Sequence, residues 1–357
     1  MRNRAFLGNT LIARGLEALR ARLPERWTIS TGRLTARVPD YRPDAVFELR
    51  APDGTRATVL VEAKDRLAAQ QASDLGARLA TAARKARADG VLLIAPFLSA
   101  MARERLRRAG TSYLDLTGNA RVELDQPALF IEAQGAEKDP DPPRRGIRSL
   151  RGAKAGRLIR ALCDWQPPVG VRELARRTGT NAGYVTRVLS FLEKEDVVRR
   201  DRRGEVVDVS WQDLLRRWAQ DYDVLKANRA VACLAPRGLE MFMSQLQDYR
   251  EDWALTGSLA IPREAVTAPT RLASCYVPNP ERAVETLGLR LSDTGSNVFL
   301  LEPFDDVVWE RTREEVGLKC VAVSQCAVDL LTGTGREPSE AESLIGWMAE
   351  NEKAWRA

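Results

Sequence analysis

The chain has 357 residues and a formal net charge of +6, enough length for two or three domains with a substantial buried core. It contains no histidine, which excludes Ser-His-Asp hydrolases, H-E-x-x-H metalloproteases, His-ligated zinc and histidine-dependent nucleases. The five cysteines, Cys163, Cys233, Cys275, Cys320 and Cys326, are odd in number and contain no C-x-x-C pair, which argues against a disulfide framework and a zinc knuckle and suits a reducing cytoplasm.

At the N-terminus Met1-Arg-Asn-Arg leads into an amphipathic stretch without an apolar h-region, and no run of 18 apolar residues occurs. A soluble, non-exported, cytoplasmic protein with no membrane partner is expected. Leu7, Leu11, Leu16, Leu19 and Leu23 follow near-helical spacing, so Phe6 to Leu23 reads as a helix. Extended segments over Ala45 to Arg50 and Thr58 to Val61 flank Pro52-Asp53-Gly54-Thr55, a hairpin signal. A long Ala- and Arg-rich helix runs from about Ala68 to Arg87, and after Gly90 the run Val91 to Pro96 reads as a buried strand. Ser99 can cap a helix to Arg108, Gly110 closes it, and Tyr113 to Leu116 and Ala120 to Leu124 read as strands. The order α-β-β-β-α-β-α-β predicts a mixed α/β domain over residues 1–135.

Within that domain Pro43-Asp44 opens one strand, and Glu62-Ala63-Lys64 closes the next, 18 residues later. Strand residues two apart project to one face, so Glu62 and Lys64 emerge together and a hairpin brings Asp44 beside them. Asp44 and Glu62 then form a hard-oxygen pair able to hold Mg²⁺, with the Ala63 carbonyl as a further ligand. Lys64 would orient the attacking water or stabilise charge on phosphate, and no histidine is needed. The pattern resembles the restriction-endonuclease-like superfamily, with its Pro-Asp followed by (Asp/Glu)-x-Lys, over about residues 1–130. The resemblance implies a glutamine on the next helix, where Gln70 and Gln71 stand, and an acidic residue on the first helix, for which Glu17 is the candidate. Regulators and antitoxins can retain such a domain as a binding surface, so cleavage and mere binding both stay open. A plain alternative is a solvated strand edge where Lys64 pairs with Glu62 or Asp44. The segment Leu114 to Asn119 reads as a turn built on Gly118 and Asn119, with a role for Asp115 near the centre as the second reading.

From Ala136 the composition turns to charge and proline, and residues 136–147 read as a stiff linker. The basicity of the chain is concentrated just beyond. Between Arg144 and Arg203 there are 16 Lys and Arg against six Asp and Glu, a local net charge of +10. A first helix is expected from Ser149 to Trp165, with Leu158, Ile159 and Leu162 buried and Arg151, Lys154, Arg157 and Arg160 outside. Pro167-Pro168 ends it. Val171 to Arg177 forms a second helix, Gly179 makes the turn, and Thr180 or Asn181 caps a third helix to about Glu195. On the third helix Val185, Val188, Leu189 and Leu192 fall at i, i+3, i+4 and i+7 and commit that face to a core. Asn181, Tyr184, Thr186, Arg187 and Ser190 are left for solvent. Arg187 could fork onto a guanine edge, Asn181 could read adenine or cap the helix, and Tyr184 and Ser190 could hold phosphates. A hairpin over Val197 to Val209 carries Arg199, Arg200, Arg202 and Arg203 towards its tip, placed for backbone phosphates.

The stretch Leu174 to Val198 resembles winged helix-turn-helix transcription regulators, and about 60 residues share that likeness. It implies a DNA-binding domain over residues 148–228, double-stranded DNA as partner, and a homodimer on two half-sites. The plain alternative is a three-helix scaffold with a solvated arginine surface.

The last third, residues 229–357, mixes short strands and helices and reads as a C-terminal α/β domain. Its Leu255 to Leu259, Leu300 to Trp309 and Gln325 to Arg336 segments, with a winged helix upstream, resemble the type IV antitoxin family of abortive-infection systems. That resemblance implies an autorepressor with a cognate toxin as partner. Gly257-Ser258 is also similar to the opening of nucleotidyltransferases, but no Asp-x-Asp or Asp-x-Glu follows before Pro280, and Asp305-Asp306 are distant and adjacent. Thr332-Gly333-Thr334-Gly335 lacks the P-loop spacing and reads as a helix end with a loop. Trp347 and Trp355 read as packing residues.

The fold class expected is therefore α/β and multidomain: a restriction-endonuclease-like mixed sheet, a central winged helix-turn-helix and a C-terminal α/β domain. The leading expectation is a sequence-specific DNA-binding regulator that needs no cofactor to bind DNA. The alternatives are a Mg²⁺-dependent endonuclease targeted by the winged helix and a toxin-neutralising autorepressor.

Overall fold

The computed structural model describes residues 2–33, 41–141, 147, 149–266, 269–292 and 294–357, with residues 2–9 given as helical backbone alone. The chain is mixed α/β. It divides into two units, Met1–Arg145 with Leu192–Asp196, and Gly146–Phe191 with Val197–Ala357. Of the expected linker at 136–147, residues 142–146 lie outside the described residues, as do the side chain of Leu7 and the basic residues Arg144, Arg145 and Arg148. Among the described residues no helix is long and apolar enough to cross a membrane.

The first unit runs α1 (Arg2–Arg20), β1 (Thr28–Thr31), β2 (Ala45–Arg50), β3 (Arg56–Ala63), α2 (Ala69–Ala86), β4 (Gly90–Ala95), α3 (Ala100–Arg108), β5 (Ser112–Asp115), β6 (Ala120–Leu124) and β7 (Leu129–Ala133). Its seven strands lie side by side in chain order. The pairs β3·β4 and β4·β5 are parallel, joined by crossover helices α2 and α3, and the remaining pairs are antiparallel. The central strands must be covered on both faces, and β4 accordingly buries every residue from Val91 to Ala95. Phe47, Val61, Leu92 and Ile94 form the heart of one face with Leu19 of α1. Gly15 lets α1 settle there, because a Cβ at that position would fall 2.5 Å from Ile94 Cδ1. The elements expected at named residues are observed, with two further strands, β1 and β7.

The second unit starts with α4 (Ala153–Asp164), α5 (Val171–Arg177), α6 (Ala182–Lys194), β8 (Val198–Arg200), β9 (Val206–Val209), α7 (Trp211–Ala219) and α8 (Val224–Ala227). It continues through β10 (Arg229–Leu234), α9 (Leu239–Gln247), β11 (Ala254–Thr256), β12 (Ala273–Tyr276), α10 (Pro280–Thr286), β13 (Arg290–Leu291) and β14 (Val298–Glu302). It closes with β15 (Arg313–Glu315), β16 (Leu318–Cys320), α11 (Val323–Leu331), α12 (Glu337–Glu350) and α13 (Glu352–Trp355). The strands β8 and β9 form a hairpin of their own, and the other seven form a mixed sheet in the order β13-β10-β14-β12-β11-β16-β15. This unit contains the segment 229–357 and all of 148–228 except Leu192–Asp196, which the sequence reads as two separate domains.

The reason the two segments cohere is polar as well as apolar. Arg160 of α4, expected on the solvent side, is only 1% exposed. Its guanidinium donates to Asp164 at 3.0 Å, to Gln325 Oε1 at 3.1 Å, and to the carbonyls of Val307 and Glu310 at 3.1 and 3.0 Å. A buried charge is tolerated only when so fully bonded. Arg157, one turn earlier, forks onto Asp305 at 2.7 and 2.8 Å, and Ser324 bonds Asp164. All five cysteines are buried free thiols.

Candidate nucleic-acid interface and carboxylate centre

The helix α6 owes its orientation to its apolar stripe. Val185, Val188, Leu189 and Leu192 are all fully buried, while Asn181, Ala182, Gly183, Thr186 and Arg187 are exposed on the other side. Gly179, with φ +59°, makes the turn from α5 that a side chain would resist. Asn181 caps α6, its Oδ1 accepting the Tyr184 amide at 2.7 Å. Asn181 stays exposed while it caps. A Cβ at Gly183 would lie 3.5 Å from Asn181 Oδ1 and 3.7 Å from an Arg187 guanidinium nitrogen, so those two side chains border a bare stretch of backbone. Thr186 turns its hydroxyl to the Ala182 carbonyl at 2.9 Å. Tyr184 is half-buried, and that burial raises its hydroxyl pKa against the opposing pull of Arg187. Gly183 was not singled out from sequence, where only its place between the cap and the arginine could have suggested it.

The hairpin beside this helix is anchored at three points. Val198 pairs with Val209 and Arg199 with Asp208, and Val169, in the segment between α4 and α5, exchanges two hydrogen bonds of 3.0 Å with Val206. Asp201 holds the turn by accepting the amides of Arg203 and Glu205, each at 2.9 Å, and Gly204 completes it at φ +85°. Arg202 and Arg203 stand exposed at the tip, and Arg199 is exposed on β8, 3.9 Å from Asp208. Arg200 differs from them. It is half-buried and donates to Ser190 Oγ at 3.1 Å, so these two predicted contact residues fasten the hairpin to α6.

In the first unit β2 and β3 pair with Ala45 opposite Val61, and Asp44 lies just before the ladder, near Glu62. The Asp44 amide donates to the Val61 carbonyl at 3.0 Å, one residue off that register, and its side-chain Oδ2 accepts the Ala63 amide at 2.8 Å, which ties Asp44 to the backbone next to Glu62. Glu62 is buried. Its Oε1 accepts Lys64 Nζ at 2.5 Å and its Oε2 accepts the Tyr41 hydroxyl at 2.9 Å. Tyr41, which sequence reading passed over, is pushed well above the usual phenol range, first by burial and then by the negative charge of Glu62 and Asp44, with Arg78 opposing. Gln70 and Gln71 are exposed at the start of α2, Glu17 is exposed on α1, and no hydrogen bond joins them to Asp44 or Glu62 among the described residues.

Two carboxylates are the donor class that Mg²⁺ prefers. A carboxylate offers about four lone-pair sites. The bonds from Tyr41 and Lys64 therefore leave Glu62 with capacity beside Asp44, and the pair fits the ion on chemistry. Among the described residues no third Asp, Glu, Cys or His joins them. Asp115, by contrast, is only 1% exposed and accepts from Leu98 N, Thr117 N and Oγ1, and Asn119 N and Nδ2, which makes it the brace of its turn.

The glycine motifs of the C-terminal third turn out to wrap carboxylates. Gly257 has φ +66°, and a Cβ there would lie 2.8 Å from Glu337 Oε1. The Thr334 amide donates to Glu337 Oε2 at 2.8 Å, and Ser258 donates to the Glu340 carboxylate. Nearby, Asp329 accepts from Tyr222 at 2.7 Å, Tyr276 at 3.0 Å, Thr256 at 2.6 Å and Gln325 at 2.9 Å. Burial raises its carboxyl to about 6 in spite of those four donors. Asp305, held by Arg157, lies below the usual carboxylate range. Comparison with family models, with curated proteins and with solved structures found no match.

Proposed function

We propose that the protein is a sequence-specific DNA-binding regulator of the winged helix-turn-helix type. The observation that carries this reading is the split of α6: one face is entirely core, and the opposite face presents Asn181, Gly183, Thr186 and Arg187 beside an arginine-tipped hairpin. In this arrangement the N-terminal end of α6 enters a major groove, where Arg187 forks onto a guanine edge. Arg202 and Arg203 meet backbone phosphates, and Arg199 follows the same groove wall. A homodimer would present two such heads to two half-sites.

The test is a pair of variants measured on a duplex selected from a random pool and on an unrelated duplex. Arg187→Ala is expected to weaken binding to the selected duplex by about 1–3 kcal/mol and leave the unrelated one nearly untouched. Arg202→Ala is expected to weaken both and to reduce the salt slope by about 1. Unchanged affinity in both variants sinks the reading.

A second reading is favoured by the closeness of Asp44 to Glu62. As a Mg²⁺-dependent nuclease the first unit would hold the ion between those two carboxylates, and the ion would supply charge stabilisation at the scissile phosphate. Lys64, fixed on Glu62, would hold a phosphate oxygen or water, and Tyr41 would keep Glu62 in place. Nicking of supercoiled plasmid that is lost in Lys64→Ala would establish this activity. No nicking by the wild type with Mg²⁺ or Mn²⁺ leaves the first unit a binding surface.

A further inference from the structure

Trp165 is a large aromatic residue with 36% of its surface exposed, at the C-terminal end of α4. Two guanidinium groups lie over its ring: that of Arg177, 4.4 Å from the ring centroid, and that of Arg311, 4.9 Å away. Arg177 comes from the end of α5, whereas Arg311 comes from the segment between β14 and β15. Arg177 also bonds Glu173 at 2.6 Å, a carboxylate it shares with Arg176. Arg311 is fixed by donating to the Trp355 carbonyl at 2.9 Å, and no carboxylate pairs with it among the described residues. Counting Glu173, Arg176, Arg177 and Arg311, the cluster carries a surplus of two positive charges.

Two further facts mark the cluster. Arg311 has φ +56°, in the left-handed region that side-chain-bearing residues seldom enter, and such strain gathers at binding sites where the surroundings over-determine it. The cluster also adjoins both parts of the reading head. Arg177 is four residues from the Asn181 cap, at most about 14 Å along the chain, and Val169, four residues beyond Trp165, is paired to the hairpin.

We infer that Trp165, Arg177 and Arg311 form a further contact for DNA backbone phosphate, to which the C-terminal part of the chain contributes Arg311. The inference rests on the DNA-binding reading above. Two like charges on one ring repel, and anionic phosphate oxygens at the guanidinium edges relieve that repulsion with charge-assisted hydrogen bonds. The ring fixes the direction of both forks before the duplex arrives, so little side-chain freedom is lost on binding. A phosphate carries no base information, so the contact strengthens binding to every sequence.

The full chain is titrated with the selected and the unrelated duplex by fluorescence anisotropy over a salt series. Arg311→Ala is expected to weaken both about three- to tenfold and to reduce the salt slope by about 1, one phosphate contact being worth about 0.9. Arg177→Gln should reduce the slope similarly, and Arg311→Lys, which keeps the charge, should restore most of it. Thermal melting of each variant shows that it is folded. If Arg311→Ala does not fold, Arg177→Gln and Arg311→Lys carry the test. A slope unchanged in Arg311→Ala and Arg177→Gln, with Arg202→Ala still losing its own contact, makes the stack architectural only and overturns the inference while the DNA reading stands. Absence of duplex binding by the wild type overturns both. Inorganic phosphate is titrated in parallel, and its displacement of the duplex at low millimolar concentration, lost in Arg311→Ala, would make the stack a free-anion site and overturn the duplex assignment.

Discussion

Asp329 is 2% exposed and receives four hydrogen bonds, yet burial raises its carboxyl from the ordinary 3.8 to about 6. The folded chain therefore holds this proton to higher pH than the unfolded chain does. Its contribution to stability is fully present below about pH 4 and is lost as pH rises to about 6. A rise of that size is worth about 3 kcal/mol. Urea unfolding of wild type and Asp329→Asn at pH 4 and pH 7 should show the wild type losing ground to the variant by up to that amount, and parallel pH responses would show that Asp329 does not titrate in this window. The cap Asn181 supplies a simpler measurement: Asn181→Ala should lower stability by about 1 kcal/mol, visible as a lower urea midpoint. Asn181 was legible in sequence because a cap is a local event, sitting one residue before a helical stripe. Asp329 was not, because Tyr222, one of its donors, lies 107 residues away, and nothing local distinguishes a braced carboxylate from a solvated one.

At the scale of elements, the two-residue turn between β15 and β16 departs from what its geometry favours. Glu315 pairs with Leu318, and Val316 and Gly317 between them have φ +51° and +75°. Both positive values suit Asn-Gly, whereas a β-branched residue is strained there. Val316 is 77% exposed, so its side chain gains little from burial. Val316→Asn is expected to stabilise the chain by about 1 kcal/mol, read as a higher urea midpoint, and a lower midpoint would refute the strain argument. Helices with a strong apolar stripe were legible: α5 matches its expected bounds, and the buried positions of α6 are those its spacing implied. The first sheet was largely legible too, because its strands lie in chain order. The second was not, since β10 pairs with β14 and β11 with β16 across long intervals that no local pattern encodes. Closeness of Asp44 to Glu62 was legible from turn and spacing, but Tyr41 on Glu62 depended on a side chain reaching across 21 positions.

For the molecule as a whole, the division near residue 145 predicts how it can be cut. Fragment 149–357 should unfold cooperatively by circular dichroism. Fragment 149–228, which ends where the expected DNA-binding domain would, should not, because it strands Arg160 and Arg157 without Gln325, Asp305 and the carbonyls of Val307 and Glu310. A cooperative transition in the shorter fragment would show that residues 149–228 are self-sufficient. The burial of Arg160 reaches further than folding. Because one guanidinium joins α4 to α11 and to the segment before β15, the placement of α4 and that of α11 and this segment share an energetic term. If α6 reads DNA as proposed, any ligand that grips α11 more firmly in one orientation of α4 would alter affinity for the duplex by a fixed factor, and the duplex would return that factor to the ligand. Two sites joined through one buried guanidinium report their occupancy to each other in both directions.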